Sequence, residues 1–184
     1  MTTKNPWHNP VPFDLVVTYE SESFKTMPEH KTGLPISDHP GAFGAVRTNH
    51  IHEGVDLYVP EGTVVRAVED GVVVAVKPFT GAIANLPWWE DTWVVMVEGP
   101  TGVVCYGEVI ACIDEGATVK AGDIVGCVKR VLKHDKGRPM SMLHLELHAH
   151  GSRECPEWHE TTGKPDTLLD PTPHLLLVSV NQGL

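Results

Sequence analysis

The sequence predicts an all-β fold, a compact antiparallel β domain with few helices. Three observations carry this expectation. Glycine and proline number 17 and 15 among 184 residues and are evenly spread, which leaves little room for long helices. The valine-rich runs between them are short, as strands are. Leu143 to Ala149 alternates apolar and polar residues with a period of two.

The elements follow in order. Phe13 to Tyr19 reads as a strand, and residues 20–42 as a polar connection containing Pro and Gly. Thr63 to Val68 and Val72 to Val76 flank Glu69-Asp70-Gly71, and Asp-Gly between β-branched runs predicts a hairpin. Residues 77–92 read as a loop ending in Pro87-Trp88-Trp89-Glu90-Asp91. Trp93 to Val97 and Val103 to Tyr106 enclose Glu98-Gly99-Pro100-Thr101-Gly102, a second hairpin. Gly116 to Gly126 holds a tight turn between two short strands, and residues 129–142 form a basic loop. In the strand that follows, His144, Glu146 and His148 share one face, and Leu143, Leu145 and Leu147 the other. Beyond Gly151 the chain runs through Asp170-Pro171-Thr172-Pro173 to the apolar Leu175-Leu176-Leu177-Val178. There is no internal repeat and no low-complexity tract.

Composition excludes several functions. The formal net charge is −10 with no Lys/Arg run, so a phosphate backbone would be repelled and nucleic acid is not expected as a partner. No apolar window is long enough to span a bilayer, and no membrane insertion is expected. Met1 to Pro12 is polar, without the basic start and apolar stretch of a signal peptide, so the expectation is a soluble protein, cytoplasmic as synthesised. The cysteines Cys105, Cys112, Cys127 and Cys155 include no pair with a two-residue gap and read as free thiols of a reducing compartment.

Two segments far apart in sequence carry candidate chemistry. His52-Glu53-Gly54-Val55-Asp56 and Leu143-His144-Leu145-Glu146-Leu147-His148 together offer two imidazoles and a carboxylate. That is one ligand set for zinc with an open coordination position. Residues four apart in a straight strand lie ~13 Å apart, too far to share an ion. Gly54, Val55 and Pro60 argue against a helix, so His52 and Asp56 can converge only in a bent, extended segment, with Gly54 permitting the bend. The competing reading makes each of the three an ordinary surface or capping residue.

The residues around these positions carry a resemblance. Phe43-Gly44, Arg47, His52-x-Gly54-Val55-Asp56-Leu57 and Glu61-Gly62-Thr63-x-Val65-x-Ala67-x-x-Asp70-Gly71-x-Val73 resemble the opening of lysostaphin-type (LytM-type) zinc endopeptidases. Tyr106 matches the tyrosine of that family's Tyr-x-His, and Gly116-x-x-Val119-x-x-Gly122-x-x-x-Gly126, Leu143-His144-x-Glu146-Leu147 and Asp170-Pro171 with Leu175 match further on. The resemblance covers about residues 43–175 and implies a zinc peptidase-like β domain there, preceded by an N-terminal arm (1–42) packing on it and followed by a C-terminal tail (176–184). It implies that His52, Asp56 and His144 hold zinc on the floor of a groove walled by loops, and that the substrate is a peptide or the peptide cross-links of peptidoglycan. Trp88 and Trp89 then contact glycan or peptide, or pack under their loop. Glu146, His148, His150 and Tyr106 become possible neighbours of the ion or contacts to substrate, with solvated histidines as the alternative. A second register, with His148-Ala149-His150 as the family's His-x-His, places Glu146 and Gly151 less well than His144 does.

Two positions depart from the pattern. Where the family has the first His of its His-x-His, this chain has Met142, and where it has the His of Tyr-x-His, this chain has Glu108. A thioether can neither donate a hydrogen bond nor carry a proton, whereas a carboxylate can act as a base. The resemblance therefore makes Glu108 the candidate catalytic base, with Arg138 or His134 of the preceding loop as candidates for electrophilic help. The alternative is a catalytically inactive zinc-containing module of the same fold that binds peptide, glycan or protein.

Overall fold

A computed structural model describes residues 7–182. Its strands are β1 (Asp14–Thr18), β2 (Lys31–Pro35), β3 (Val55–Leu57), β4 (Val64–Arg66), β5 (Gly71–Thr80), β6 (Thr92–Gly99), β7 (Gly102–Ala111), β8 (Thr118–Val119), β9 (Ile124–Val128), β10 (Leu143–His148) and β11 (Leu168–Leu169), followed by the α-helix α1 (Thr172–Val180), with short 3-10 turns at Glu20–Glu22 and Ala82–Ala84. Strands β3 to β11 form one sheet whose main path runs β11-β10-β7-β6-β5-β8. All its pairings are antiparallel, as expected. No helix among the described residues is long and apolar enough to cross a membrane.

The predicted hairpin across residues 98–102 joins β6 to β7, with Gly99 opposite Gly102. The hairpin predicted at Asp70-Gly71 does not form. β4 pairs with β9, while β5 pairs with β6 and β8. Gly71 lacks the positive φ that an Asp-Gly hairpin turn requires. A Cβ there would stand 2.5 Å from the Glu98 carbonyl oxygen, so this glycine serves close strand approach instead. The Asp70 carboxylate accepts the Ala121 N–H (2.9 Å) and the Lys120 ammonium (3.0 Å), tying β5 to the turn before β9.

Two segments expected to be irregular contain strand. Residues 31–35, inside the expected connection, form β2 and pair with β1 in parallel, the one departure from antiparallel order among the described residues. β5 runs on to Thr80, into the expected 77–92 loop. Pro78 is accommodated there because the register shifts between Pro78 and Thr80, where a missing N–H does no harm.

The main core lies on one face of the sheet. Leu143, Leu145 and Leu147 of β10 meet Val104 and Tyr106 of β7 and Val95 and Val97 of β6 there. Trp7, Leu15 and Leu34 of the N-terminal segment and Leu175 and Val178 of α1 close that core. On the opposite face Ala75, Val94, Met96, Val103 and Cys105 make a smaller patch. The two faces separate apolar from chemical side chains, since His144, Glu146 and His148 point away from the main core.

Strand β3 lies against the first half of β10, with Asp56 directly opposite His144. Gly54, at a bend just before β3, makes this approach possible. Its φ is not positive; a Cβ there would stand 2.5 Å from the Leu145 carbonyl oxygen, which is backbone and cannot rotate away. Gly54→Ala is expected to cost ~1–3 kcal/mol or more, as overpacking does. Urea unfolding of the chelator-treated protein checks this, and an unchanged midpoint would contradict it.

Candidate metal centre

Three side chains from two distant segments meet on the open face of the sheet. Asp56 is held by β3 and His144 by β10, and their opposition puts His144 Nδ1 2.9 Å from Asp56 Oδ1. His52 is fixed by the loop before it. Its backbone N–H donates to the Ala45 carbonyl, its own carbonyl accepts the Gly44 N–H, and its Nδ1–H donates to the Ala42 carbonyl, each at 2.9 Å. That leaves the lone pair on Nε2, which lies 3.1 Å from both Asp56 Oδ1 and His144 Nδ1. The separation expected in the straight strand is closed by the bend at Gly54.

Each member is oriented by a second partner. Arg47 Nη2 donates to Asp56 Oδ2 (2.7 Å), which leaves Oδ1 turned to the two imidazoles. His144 Nε2–H donates to Glu146 Oε1 (2.8 Å), and Glu146 Oε2 accepts from His148 Nε2 (2.6 Å). Phe79 packs its ring against that of His144, with centroids 5.5 Å apart. Gly107, opposite His144, makes room for it, since a Cβ there would lie 2.6 Å from the Phe79 ring.

The electrostatics describe a site that demands positive charge. His52, Asp56 and His144 are nearly or fully buried. Burial holds His52 below its ordinary value and therefore neutral. Burial also opposes a charged His144, but its hydrogen bonds to Asp56 and Glu146 outweigh this and raise it well above the usual range. Burial opposes ionisation of Asp56 too, yet His52, His144 and Arg47 together lower it well below the usual range. An imidazolium at His144 thus supplies the cation between two carboxylates when no metal does. A divalent ion in its place would find three inward-facing donors 2.9–3.1 Å apart. Ligand atoms of tetrahedral zinc are ~3.3 Å apart, given zinc–nitrogen bonds of ~2.0 Å. The tautomers also fit: each imidazole spends its outer nitrogen on an oxygen acceptor, the arrangement that orients metal-binding histidines.

Glu108 reaches this face through a bulge in β7. Trp93 and Val95 of β6 pair with Val109 and Tyr106, so three residue steps on β7 match two on β6. Strict alternation would send Glu108 into the main core with Val104 and Tyr106. Instead Glu108 adopts φ +63°, a sparsely populated region for a non-glycine residue, and lines the groove that holds the three donors. Its Oε2 is buried without a hydrogen-bond partner among the described residues. Burial, then the Asp56 charge, pushes its carboxyl up from 4.5 to about 8.

The groove has a volume of about 980 Å³. Loop residues including Trp88, Trp89, Leu132 and Arg138 line it. Trp88 is exposed, whereas Trp89 lies half-buried beside Val131, Leu132 and Met142, with Lys136 Nζ 4.9 Å above its ring. A smaller hollow of about 410 Å³ beside Phe24 and Tyr58 is lined by none of the three donors.

Three of the residues named from sequence lie elsewhere, and His148 lies beside the trio through Glu146. Tyr106 is buried in the main core, where its hydroxyl accepts the Val68 N–H at 2.8 Å; it precedes the bulge and so faces the other way. His150 is exposed and bonds the Gly99 carbonyl at the hairpin turn. His134 is exposed in its loop and does not line the groove. His148 is not solvated but wholly buried beside Glu146, and His150, the ligand of the alternative register, is turned to Gly99 and not to Asp56. Sequence reasoning assigned no role to Phe79, which lies in the part of β5 expected to be loop, and found Arg47 only as a motif position.

The model of peptidase family M23 matches residues 50–156, more than half of the 184-residue chain, and the chain belongs to that family. Among curated proteins none matches. Solved structures share the fold. The crystal structure of cbpa from L. salivarius REN has a TM-score of 0.52 at 21% identity, with 97% of this chain and 100% of that chain covered. The catalytic domain of the antimicrobial peptidase lysostaphin from Staphylococcus simulans has a TM-score of 0.52 at 19% identity, covering 73% and 89%. The solution structure of lysostaphin gives 0.51 at 21%, and there the chain covers only 51% of its counterpart.

The buried carboxyl of Glu108 predicts a pH dependence. Its folded value lies above its unfolded one, so the protonated form supports the fold at low pH. That support is lost as pH rises from about 4.5 through about 8. After chelator treatment, the wild type is expected to lose melting temperature across this window relative to Glu108→Gln, whose amide does not titrate. A difference between the two proteins that stays flat with pH would contradict the burial of a titrating carboxyl here.

Proposed function

We propose that this member of peptidase family M23 is a zinc-dependent endopeptidase acting on the peptide cross-links of peptidoglycan or a related peptide. In this reading His52 Nε2, Asp56 Oδ1 and His144 Nδ1 hold the ion, and Glu108 is the general base. The observation that carries it is the placement of Glu108: an unpartnered, buried carboxylate oxygen, on a strained backbone, in the same groove as three converging donors. Backbone strain of this kind is retained where surrounding structure imposes it, often at working sites.

The roles of the chain's own residues follow from their chemistry. Zinc, when bound, supplies Lewis acidity, polarising a carbonyl and acidifying water. A cation on the three donors also favours the ionised form of Glu108, reversing the effect of the Asp56 charge. Glu108 then accepts a proton from the attacking water and delivers it to the leaving amine. Arg47 keeps Oδ2 of Asp56 engaged, and Glu146 keeps His144 in the tautomer whose Nδ1 lone pair faces inward. Arg138, on the groove wall, is the available cation for a developing oxyanion. Met142 packs with Val131 and Leu132 and takes no part in proton transfer. The groove suits an extended peptide, with Trp88 as an exposed contact surface.

One observation favours a second reading, a zinc-holding module that binds its ligand without turnover. The position where the resemblance expects a histidine holds Met142, so of the two altered catalytic positions only Glu108 can carry a proton. Zinc-loaded protein incubated with purified cell walls and with short cross-link peptides separates the readings. New amines are expected, with turnover lowered about 10²–10⁴-fold by Glu108→Gln. An unchanged rate in that variant would remove Glu108 as the base. Saturable retention on walls without any new amine would replace the enzyme by the binding module.

A further inference from the structure

Beside the first trio, on the same face of the sheet, a second set of donors gathers. Cys105, Glu146, His148 and Cys155 each offer one ligand atom, and these four atoms lie within 4.8 Å of one another. The register accounts for three of them. Glu146 stands opposite Cys105 in the β10–β7 pair, and His148 follows two residues along the same face. Cys155 comes from the segment after β10 and packs over the small apolar patch that contains Cys105. Cys105, Glu146 and His148 are 1%, 3% and 0% exposed, so water does not satisfy them.

The imidazole and carboxylate pair with each other, His148 Nε2 lying 2.6 Å from Glu146 Oε2, while the two thiols lie against them. Thiols are weak hydrogen-bond partners, and a buried carboxylate and imidazole are costly unless fully paired. Glu146 already gives Oε1 to His144 and presents Oε2 to the cluster. Two sulfurs, one imidazole nitrogen and one carboxylate oxygen make a four-donor set with no position left open. Closed sets rich in thiolate are those of structural zinc. Soft thiolates also select zinc over magnesium or calcium.

We propose that Cys105, Glu146, His148 and Cys155 form a second zinc site with a structural role. Its consequence is mechanical. Glu146 would connect the two sites, with Oε2 on the structural ion and Oε1 on His144. Cys155 would pin the segment that carries Trp158, whose N–H donates to Glu53 Oε1 (2.8 Å) and whose carbonyl accepts the Ile51 N–H (2.7 Å). Glu53 and Ile51 flank His52. One closed site therefore braces both halves of the donor trio, from β10 on one side and from the His52 loop on the other.

The test uses the full chain, reduced, stripped of metal and titrated with zinc alone or cobalt(II) alone. The expected stoichiometry is two ions per chain. Cobalt is expected to give the near-ultraviolet charge-transfer absorption of thiolate ligation, and to keep it in the His52→Ala, Asp56→Ala double variant, because the first site contains no sulfur. Cys155→Ser is expected to abolish that absorption and one bound ion while the circular dichroism stays that of a folded β protein. In the zinc-loaded wild type, Cys105 and Cys155 are expected to resist a thiol reagent until a chelator is added, with exposed Cys112 as the reactive internal standard. Absence of thiolate absorption in both the wild type and the double variant overturns the proposal, whatever becomes of the first site. Thiol protection released by a reductant but not by a chelator also overturns it, in favour of a Cys105–Cys155 disulfide.

Discussion

The opposition of Asp56 and His144 across the β3–β10 pair is the constraint from which the site is built. A carboxylate buried in that position is unstable alone, because nothing there replaces its water. Its stability comes from what the sheet register delivers: an imidazole 2.9 Å away across the strands, a second imidazole at 3.1 Å and the Arg47 guanidinium at 2.7 Å. The cluster is satisfied only while it contains a positive charge. A proton on His144 meets that need in one state, and in the proposed zinc-bound state the ion would reach all three donors at once. The same logic explains Gly54. Any side chain there would separate β3 from β10 and pull the carboxylate off the imidazole.

A single bulge decides what else the groove contains. The extra residue in β7 breaks the alternation that places Val104 and Tyr106 in the core, and it does so at Glu108. Without it the carboxylate would be buried in hydrocarbon beside Val104 and Tyr106. With it, Val109 returns to the core and Glu108 faces the donors. A positive φ at glutamate and an unpaired carboxylate oxygen both destabilise the fold. Their coexistence in one residue is the observation on which the proposed mechanism rests.

The outward face of β10 carries the polar order further. Asp56, His144, Glu146 and His148 alternate acid and base in one hydrogen-bonded line, ending at the Thr167 hydroxyl. Each member orients the next, so the outer nitrogen of His144 is committed to Glu146 and its inner nitrogen is turned to Asp56 and His52. The proposed second ion would take the place of the Glu146–His148 hydrogen bond and hold the same two residues together. Arms outside the main sheet reinforce the opposite face: Trp7, Leu15 and Leu34 with the helix residues Leu175 and Val178 cover the leucines of β10, which lets the other face be polar without exposing the core.

Much of this was legible in the chain. Short valine runs, evenly spread turn residues and the alternation of residues 143–149 were enough for an antiparallel β domain, and the motif residues were enough to pair His52, Asp56 and His144 across a long separation. These are properties of local pattern, because side-chain alternation and turn preference act between near neighbours. What the chain did not reveal depends on which strands meet. Asp70-Gly71 has hairpin chemistry, but β5 pairs with β6 and β8, so the signal marks a close approach and a carboxylate tie instead. Tyr106 and Glu108 look equivalent two residues apart, yet a register mismatch with β6 sends them to opposite faces. Cys105 and Cys155, fifty residues apart, look like unrelated free thiols until the sheet and its following segment bring them beside Glu146 and His148. Residue type and spacing determine the menu of possible chemistry; long-range strand register, set by packing of the whole core, selects which groups share a site.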